Sequence, residues 1–213
     1  MRQFRTAQPT RSYTGKPLSH YKDYREILSN DFFHKCAYSD CSEVWWGDGM
    51  HVDHFAPKSP KISDPDKFKK FADREHEYTN LIYACPQINR AKSNDWASDD
   101  PDVPIMGDCG YLNPCTENFN DYFERTDFGQ IIPKNNPIAI YMWKKLKLYL
   151  KRYEFYWCLD QLSERIHKLV QLEKKFSKDS KISQEIKNEV FELAAMHDEY
   201  MNYLTDNYYK IIR

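Results

Sequence analysis

Apolar residues recur along the chain at two spacings, and together they predict an α+β fold that is mostly helical. Residues 51–55 alternate between apolar and polar side chains, as a strand does, and the apolar run 81–84 is long enough for a second, buried strand. Pro86 suits a first helical turn, and no breaker interrupts residues 87–95, so a helix follows the second strand. This order of strand, loop, strand and helix brings the three elements together.

Longer amphipathic patterns predict helices on both sides of this central unit. Residues 20–33 form one helix, with Ser19 as its N-cap, and a stripe at three- and four-residue steps predicts a single long helix over residues 137–176. After a polar break, residues 183–211 repeat the stripe. Two long helices joined by a short break predict an antiparallel hairpin that packs on the core.

Two shorter predictions concern the residues around the central strands. Residues 44–46 indicate a strand, and residues 47–49 indicate a tight turn that leads into the strand carrying Asp53. Residues 65–71 indicate a short helix within an otherwise irregular, charged loop.

Proline content and charge divide the chain into four parts. Residues 1–17 are a basic, irregular arm, which either touches a phosphate backbone or a partner, or is a solvated terminus. Residues 18–100 hold the core with its N-terminal helix, residues 101–135 are an acidic, irregular segment, and residues 136–213 are the helical hairpin. An acidic segment should avoid nucleic acid, so it is expected to dock on a basic partner or to keep the surface solvated.

The composition is that of a soluble, globular protein, with 41% hydrophobic and 30% charged residues among its 213. No apolar run approaches the roughly 18 residues of a membrane span, and the N-terminus lacks the apolar core of a signal peptide, so no membrane partner and a cytoplasmic location are expected. The formal net charge of −1 argues against tight, unaided binding to nucleic acid. Much of any substrate affinity is therefore expected to come from a partner.

The candidate chemistry is concentrated in the central strand–strand–helix unit. Strand alternation points Asp53 and His54 to opposite faces, so the carboxylate suits a hard divalent cation while the imidazole suits a general base. One turn into the helix, Asn89 adds an oxygen ligand, with Lys92 beside it at the i+3 position. His51 shares a face with Asp53 and is an alternative base or a third ligand. Such a set suits metal-assisted attack of water on a phosphodiester.

An Asp-His-x-x-Pro segment, an Asn before an apolar strand and an Asn-Arg-x-Lys-Ser segment together resemble the HNH endonuclease motif, in the variant seen in the HNH domain of RNA-guided CRISPR nucleases. The resemblance implies a ββα-metal HNH nuclease core. It implies that Asp53 and Asn89 bind Mg²⁺, or another divalent cation such as Mn²⁺, and that His54 is the general base. It further implies that Asn80 braces the loop and orients this base, and that Lys92 neutralises phosphate charge.

Many HNH proteins hold this core on a zinc ion bound by two Cys-x-x-Cys pairs, and the chain departs from that pattern. Three cysteines remain at the corresponding positions: Cys36, Cys41 and Cys85. Ile88 stands where the mate of the third would fall, and a closed tetrahedral zinc site needs four ligands. Cys109, Cys115 or a histidine is one source of a fourth ligand. The alternative is that the structural zinc has been lost and the cysteines simply pack.

The order of parts over residues 19–165 resembles one HNH subfamily. The segments Cys-Ala-Tyr, His-x-Asp-His-Phe-x-Pro-Lys, Tyr-x-Asn-Leu and Leu-Asn-Pro-Cys are similar to those of the HNH nuclease subunit (PtuB) of Septu-type and retron-associated antiphage systems. That resemblance implies a nuclease effector that acts on DNA together with a PtuA-like ATPase subunit. The chain itself has no Gly-rich phosphate loop, which is compatible with such a division of labour.

Four other functions stay open at this point. The chain is compatible with a stand-alone restriction-type HNH nuclease and with an effector that cleaves RNA such as tRNA. It is also compatible with an HNH fold that survives as a catalytically silent docking module, or with a structural zinc-binding adaptor.

Overall fold

The protein is an α+β fold with small antiparallel sheets and long helices, as the apolar pattern predicts. The computed structural model describes residues 1–47, 49–178 and 180–207. The chain divides into two compact units, Met1–Tyr149 and Leu150–Arg213. None of the helices in the described ranges is both long enough and apolar enough to cross a membrane.

Short elements dominate the first unit, and long helices form the second. The strands are β1 (Arg2–Gln3), β2 (His51–His54), β3 (Leu81–Ala84), β4 (Ile105–Met106), β5 (Cys109–Gly110), β6 (Phe123–Arg125) and β7 (Ile131–Pro133). The helices of the first unit are α1 (Arg25–Asp31), α2 (Pro65–Ala72), α3 (Pro86–Lys92) and α4 (Pro137–Lys145). The second unit contains α5 (Lys151–Glu173) and α6 (Lys181–Asp206). Short 3₁₀ turns occur at Tyr21–Tyr24, Glu43–Trp45, Tyr78–Asn80 and Phe119–Asp121.

Strands β2 and β3 and helix α3 lie where the apolar pattern predicts them. β2 pairs antiparallel with β3, so that His51 lies opposite Ala84 and His54 lies opposite Leu81. All of β3 is buried, which explains its unbroken apolar run. α3 starts at a proline, as expected, but it ends earlier than predicted because Ser93 adopts a left-handed φ of 49°.

The predicted N-terminal helix is present, but it is shorter and starts differently. A 3₁₀ turn precedes α1, and the N-cap of that turn is His20, whose Nδ1 accepts a hydrogen bond from Lys22 N at 3.2 Å. The N-cap of α1 itself is Tyr24, whose side chain makes no capping hydrogen bond. The prediction that Ser19 caps this helix is therefore wrong. The helix stops short of the predicted end because Phe33 and His34 adopt left-handed φ angles of 54° and 59°.

The strand predicted at residues 44–46 is wrong, because a 3₁₀ turn forms there. The Ser42 hydroxyl accepts a hydrogen bond from Val44 N at 3.4 Å and caps this turn. A serine that bonds to the local backbone gives the chain an alternative to strand pairing. The predicted turn at residues 47–49 includes Asp48, which lies outside the described residues.

The N-terminal arm and the acidic segment, both predicted to be irregular, instead contribute to a three-stranded sheet in the order β1–β6–β7. Phe4 is buried beside Phe119 and Phe123, with ring centroids 5.9 and 5.5 Å away. Arg125 is fully buried and donates hydrogen bonds to three main-chain carbonyls. Arg5 is also buried, so neither reading of the arm, as a solvated terminus or as a phosphate contact, describes this part of it.

The single long helix predicted over residues 137–176 is wrong, because the chain leaves the helical path between α4 and α5. Lys147 adopts a φ of 55°. Its main-chain N donates to Lys144 O at 3.2 Å, and Leu148 N donates to Trp143 O at 2.9 Å. This pair of hydrogen bonds is a Schellman motif, which ends a helix. Leu148 is nevertheless buried, so the apolar spacing continues across the break and conceals it in the sequence.

The second unit is the predicted helical hairpin, and its helices run antiparallel. Phe155, near the start of α5, stacks on Tyr203, near the end of α6, with ring centroids 4.9 Å apart. At the other end, Ser183 Oγ donates to Glu173 Oε1 at 2.6 Å. Residues 208–211 of the predicted second helix lie outside the described residues.

A polar cluster around Asp95 joins α4 to the segment that follows α3. The carboxylate accepts hydrogen bonds from the hydroxyls of Tyr111, at 2.7 Å, and Tyr141, and Lys145 Nζ lies 3.1 Å away. Burial alone raises the pKa of this carboxyl, but the hydrogen bonds from the two tyrosines and Lys145 outweigh burial and hold the pKa below its usual 3.8. The cluster therefore stabilises the fold while the carboxyl is ionised.

We expect Asp95→Asn to lower the free energy of unfolding at pH 7 by about 2 kcal/mol, because an amide replaces a charged acceptor of several hydrogen bonds. The folded-state pKa lies below the unfolded one, so the wild-type stabilisation is present above pH 4 and declines as pH falls through the folded pKa. Urea unfolding at pH 7 and pH 3 should show a smaller difference between the two proteins at pH 3. Asp108→Asn, in an exposed turn, is the control and should match the wild type. An equal loss at both pH values would contradict the assignment.

Candidate active site

Four of the predicted site residues, His51, Asp53, His54 and Asn89, line one cavity of about 410 Å³ in the first unit, and Asn80 and Lys92 do not line it. β2 and α3 form two of its walls, and the 3₁₀ turn before α1 contributes a third through Tyr21. The side chains that carry chemistry there are Asp53, His54, His51, Asn89, Lys58 and Arg90. The structure thus brings together residues that are up to 39 positions apart in the sequence. β2 pairs with β3, and α3, which contains Asn89, begins two residues after β3 ends.

Asp53 has one carboxylate oxygen that accepts a hydrogen bond and one that accepts none among the described residues. Its side chain is buried, Oδ1 accepts a hydrogen bond from His54 N at 2.8 Å, and Oδ2 has no hydrogen-bond partner among the described residues. Burial raises the pKa of Asp53, and the Lys92 ammonium, 3.9 Å from Oδ2, opposes that rise. A buried oxygen without a donor is costly unless a cation compensates it, so this atom suits a bound metal ion.

His54 is held in the tautomer that a general base needs. Its Nε2 lies 2.9 Å from the main-chain oxygen of Glu75, which can only accept, so Nε2 carries the hydrogen and Nδ1 keeps a lone pair. Burial lowers the pKa of His54 below its usual 6.5, so the ring is neutral at pH 7. The ring of Tyr21 packs 4.8 Å from the imidazole and limits its movement.

His51 and Asn89 contact each other at the edge of the same cavity. Asn89 Nδ2 and His51 Nδ1 are 2.9 Å apart, so the amide donates to the neutral imidazole. This contact orients the Asn89 amide, whose oxygen is the predicted second metal ligand. In the described part of the chain, no group of three or more His, Cys, Asp or Glu side chains is arranged to hold a metal ion. Asp53 and Asn89 are only two residues, and an asparagine is not one of those four residue types. Mg²⁺ is commonly bound by one or two protein side chains together with several waters, so such a pair is enough for it.

Asn80 braces the loop that follows β2. Its Oδ1 accepts from Ala56 N at 2.8 Å, and its Nδ2 donates to Ala56 O at 3.0 Å and to Arg74 O at 3.3 Å. The last contact ties Asn80 to the residue before Glu75, whose carbonyl orients His54. Asn80 is therefore linked to His54 through the backbone rather than by touching the imidazole.

Lys92 lies beneath the site and is not exposed at all. Its Nζ donates to the carbonyl of His54 at 2.8 Å and lies 5.5 Å from the centre of the Tyr111 ring. Burial lowers the pKa of Lys92, and Asp53 opposes that shift. This placement differs from the predicted one, in which the ammonium contacts phosphate, because a fully buried side chain cannot meet a substrate directly.

Two cations that the sequence reasoning did not single out line the cavity instead. Lys58 Nζ lies 2.6 Å from Glu75 Oε1 and 5.0 Å from the centre of the Tyr21 ring, and Arg90 is exposed on α3. The signal for Lys58 was present as the basic residue directly after the Asp-His-x-x-Pro segment. Arg90 is the arginine of the Asn-Arg-x-Lys-Ser segment, but the sequence pattern alone assigns it no role.

Cys36, Cys41 and Cys85 are buried and share hydrogen bonds. Cys36 Sγ accepts from Cys85 N at 3.3 Å, and Cys36 N donates to Cys41 O at 2.9 Å. Burial raises the pKa of the Cys36 thiol, but hydrogen bonds from Cys85 and Ser39 outweigh it and bring the pKa to about 6. The side chain of Ile88 is fully buried, at the position where the usual fourth cysteine would fall. A closed zinc site would need another donor here.

No protein-family model, curated protein or solved structure matches this chain. The functional argument therefore stands on the residues and geometry of this cavity.

Proposed function

We propose that the protein is a metal-dependent HNH endonuclease that hydrolyses phosphodiester bonds of DNA. The observation that carries the proposal is the pairing of an unsatisfied, buried carboxylate oxygen on Asp53 with a neutral, carbonyl-oriented His54 in one cavity. One group is poised to bind a cation and the other to accept a proton. Arg90 at the same cavity adds positive charge where an anionic substrate would lie, beside the Lys58–Glu75 ion pair.

The proposed mechanism assigns each side chain a separate task. Asp53 and Asn89 would hold Mg²⁺ or Mn²⁺, which when bound stabilises negative charge on the phosphate and the leaving oxygen. His54 Nδ1 accepts a proton from the attacking water, while the Glu75 carbonyl keeps the ring in its reactive tautomer. His51 orients the Asn89 amide, and Asn80 fixes the loop that supports the base.

The narrower proposal is that this nuclease is the effector of an antiphage defence complex with a PtuA-like ATPase subunit. The order of sequence segments and the net charge of −1 support it, because a near-neutral chain gains little affinity for DNA from bulk electrostatics. A stand-alone restriction-type nuclease, an RNA-cleaving effector and a catalytically silent docking module are the other outcomes of the tests below.

The test is cleavage of plasmid DNA and of total tRNA with Mg²⁺ and with EDTA. We expect DNA to be cut only with Mg²⁺, and Asp53→Asn to lower the rate by more than about 100-fold because it removes the anionic ligand. Cleavage of tRNA alone would assign the RNA-cleaving function. If wild type is silent, the assay is repeated with the co-purified ATPase subunit, and silence there too would contradict a nuclease.

We expect His51→Ala to lower cleavage by about 10-fold, because the Asn89 amide loses the contact that orients it. Raising the Mg²⁺ concentration should restore part of the rate, since the loss acts through metal affinity. Titration of Mg²⁺ against initial rate for both proteins measures this. An unimpaired variant would exclude His51 from the site, and a loss that Mg²⁺ does not touch would favour a direct role in proton transfer.

A further inference from the structure

A second cavity of about 280 Å³ adjoins the site cavity in the first unit. Ser93 and Asn94 line both cavities, so the segment after α3 is their shared wall. The loop after β2 runs past both: Pro57 and Lys58 line the site cavity, while residues 60–62 line the second. The two cavities are therefore neighbours along the same two segments, and Asp53 and His54 line the first of them.

Lys61 gives the second cavity an uncompensated positive charge. Its side chain is exposed, and within the described ranges no carboxylate lies within 4.0 Å of its ammonium. Of the other two lysines of this cavity, Lys145 is paired with Asp95 at 3.1 Å, and Lys92 is fully buried with its ammonium 3.9 Å from Asp53. Both pairs are locally neutral, so Lys61 sets the sign of the potential in this cavity.

Trp96 gives the same cavity a fixed aromatic surface. The indole is held edge-on to Phe55 at 5.2 Å and nearly parallel to Tyr111 at 6.3 Å, and Nε1 donates to Asp100 O at 2.9 Å, yet the residue is only partly buried. A held aromatic ring beside a free cation is the combination that binds a nucleotide, because the ring stacks on the base while the cation meets the phosphate. Ser93, at a φ of 49°, adds a hydroxyl on the wall between this cavity and the catalytic residues.

We propose that the second cavity binds the nucleotide next to the scissile phosphodiester of a DNA strand, with Lys61 on its phosphate and Trp96 on its base. The inference rests on the proposed nuclease function, because it names the neighbour of the bond that His54 and Asp53 would cleave. It assigns Lys61 to substrate binding rather than to chemistry. Because stacking and a phosphate contact are indifferent to base identity, this nucleotide is held without sequence preference.

The experiment measures DNA binding in EDTA with the His54→Ala protein, so that no readout depends on cleavage. Fluorescent single-stranded oligonucleotides carry one neutral methylphosphonate, moved along the strand. Binding is compared between this protein and versions that also carry Lys61→Ala or, as the matched control, Lys69→Ala. Lys69 is 70% exposed on α2 and lines neither cavity, so it removes the same charge elsewhere.

We expect Lys61→Ala to raise Kd about five-fold more than the control and to lower the slope of log Kd against log salt by about 0.7. When the methylphosphonate replaces the phosphate that Lys61 contacts, next to the bond that wild type cuts, the Kd values of Lys61→Ala and of the control should become equal. An abasic nucleotide at that position should weaken binding by at least about five-fold, because stacking on Trp96 is lost.

Two results would overturn the inference. Equal effects of Lys61→Ala and Lys69→Ala on Kd would show that Lys61 does not bind the substrate. If the effect of Lys61→Ala depended on the methylphosphonate at no position, or at several scattered positions, there would be no defined subsite. Neither result bears on cleavage by wild type, which tests the nuclease separately. Coupling at one phosphate in a protein that never cuts DNA would retain the nucleotide site and reject the nuclease.

Discussion

Replacing His54 with alanine should lower metal-dependent cleavage by about 10²–10⁴-fold and leave the fold intact, because the substitution removes a general base. The imidazole lies at the wall of an open cavity and is linked by its side chain to one main-chain carbonyl. Initial rates on plasmid DNA, with circular dichroism and thermal unfolding of each variant, measure both parts. Wild-type rates in His54→Ala would reject the assignment.

His76→Ala is the matched control for this experiment. His76 lies in the same cluster of rings, 6.3 Å from Tyr21, but it is exposed and outside the site cavity. It should cut at the wild-type rate, which would show that the loss belongs to His54 rather than to any histidine nearby. Because burial lowers the pKa of His54, wild-type activity should persist below pH 6.5 and fall only when this ring is protonated.

The parts of the fold that the sequence predicts correctly are those with local causes. Alternation and apolar runs located β2 and β3, and α2 forms over the predicted residues 65–71 because Asp64 caps it and a proline follows. Asp53, His54 and Asn89 line one cavity, since the elements that carry them are short and consecutive; that this cavity is a catalytic site stays a prediction.

The parts that the sequence does not predict have distant causes. β1 pairs with β6, which lies more than a hundred residues later in the sequence, and nothing in the local sequence of Arg2–Gln3 predicts that partner. The break between α4 and α5 is equally hidden, because Lys147 is a residue that can adopt a left-handed φ only at some cost and shows no preference for it in the sequence. Local patterns fix elements; the path of the chain between them depends on tertiary packing.

Lys92 shows the same limit within the site. Its i+3 spacing from Asn89 correctly places it one turn away on α3, but spacing alone does not say whether the side chain points to the cavity or beneath it. The structure points it beneath, where its ammonium lies 3.9 Å from Asp53 and bonds to the His54 carbonyl. A buried ammonium there stabilises the Asp53 carboxylate and the backbone of His54 together.

Lys92→Ala should lower the free energy of unfolding by about 3–5 kcal/mol, because it leaves the Asp53 carboxylate buried without its nearest cation. Lys92→Met keeps the volume and should still destabilise for the same reason. Arg90→Ala is the control for stability, because that residue is on the same helix but exposed. Urea unfolding at pH 7, followed by tryptophan fluorescence, measures each free energy of unfolding.

The double variant Asp53→Asn with Lys92→Met separates a structural role for Lys92 from a contact with phosphate. If the two charges compensate each other, removing both should recover most of the stability that Lys92→Met loses, since buried ion pairs contribute little net stability when both partners go. If the loss in the free energy of unfolding of the double variant equals the sum of the losses of the two single variants, the two charges are not coupled. A Lys92→Met protein that is as stable as wild type but unable to cut DNA would contradict the structural role of the buried ammonium. It would favour instead the phosphate contact that the HNH resemblance implies.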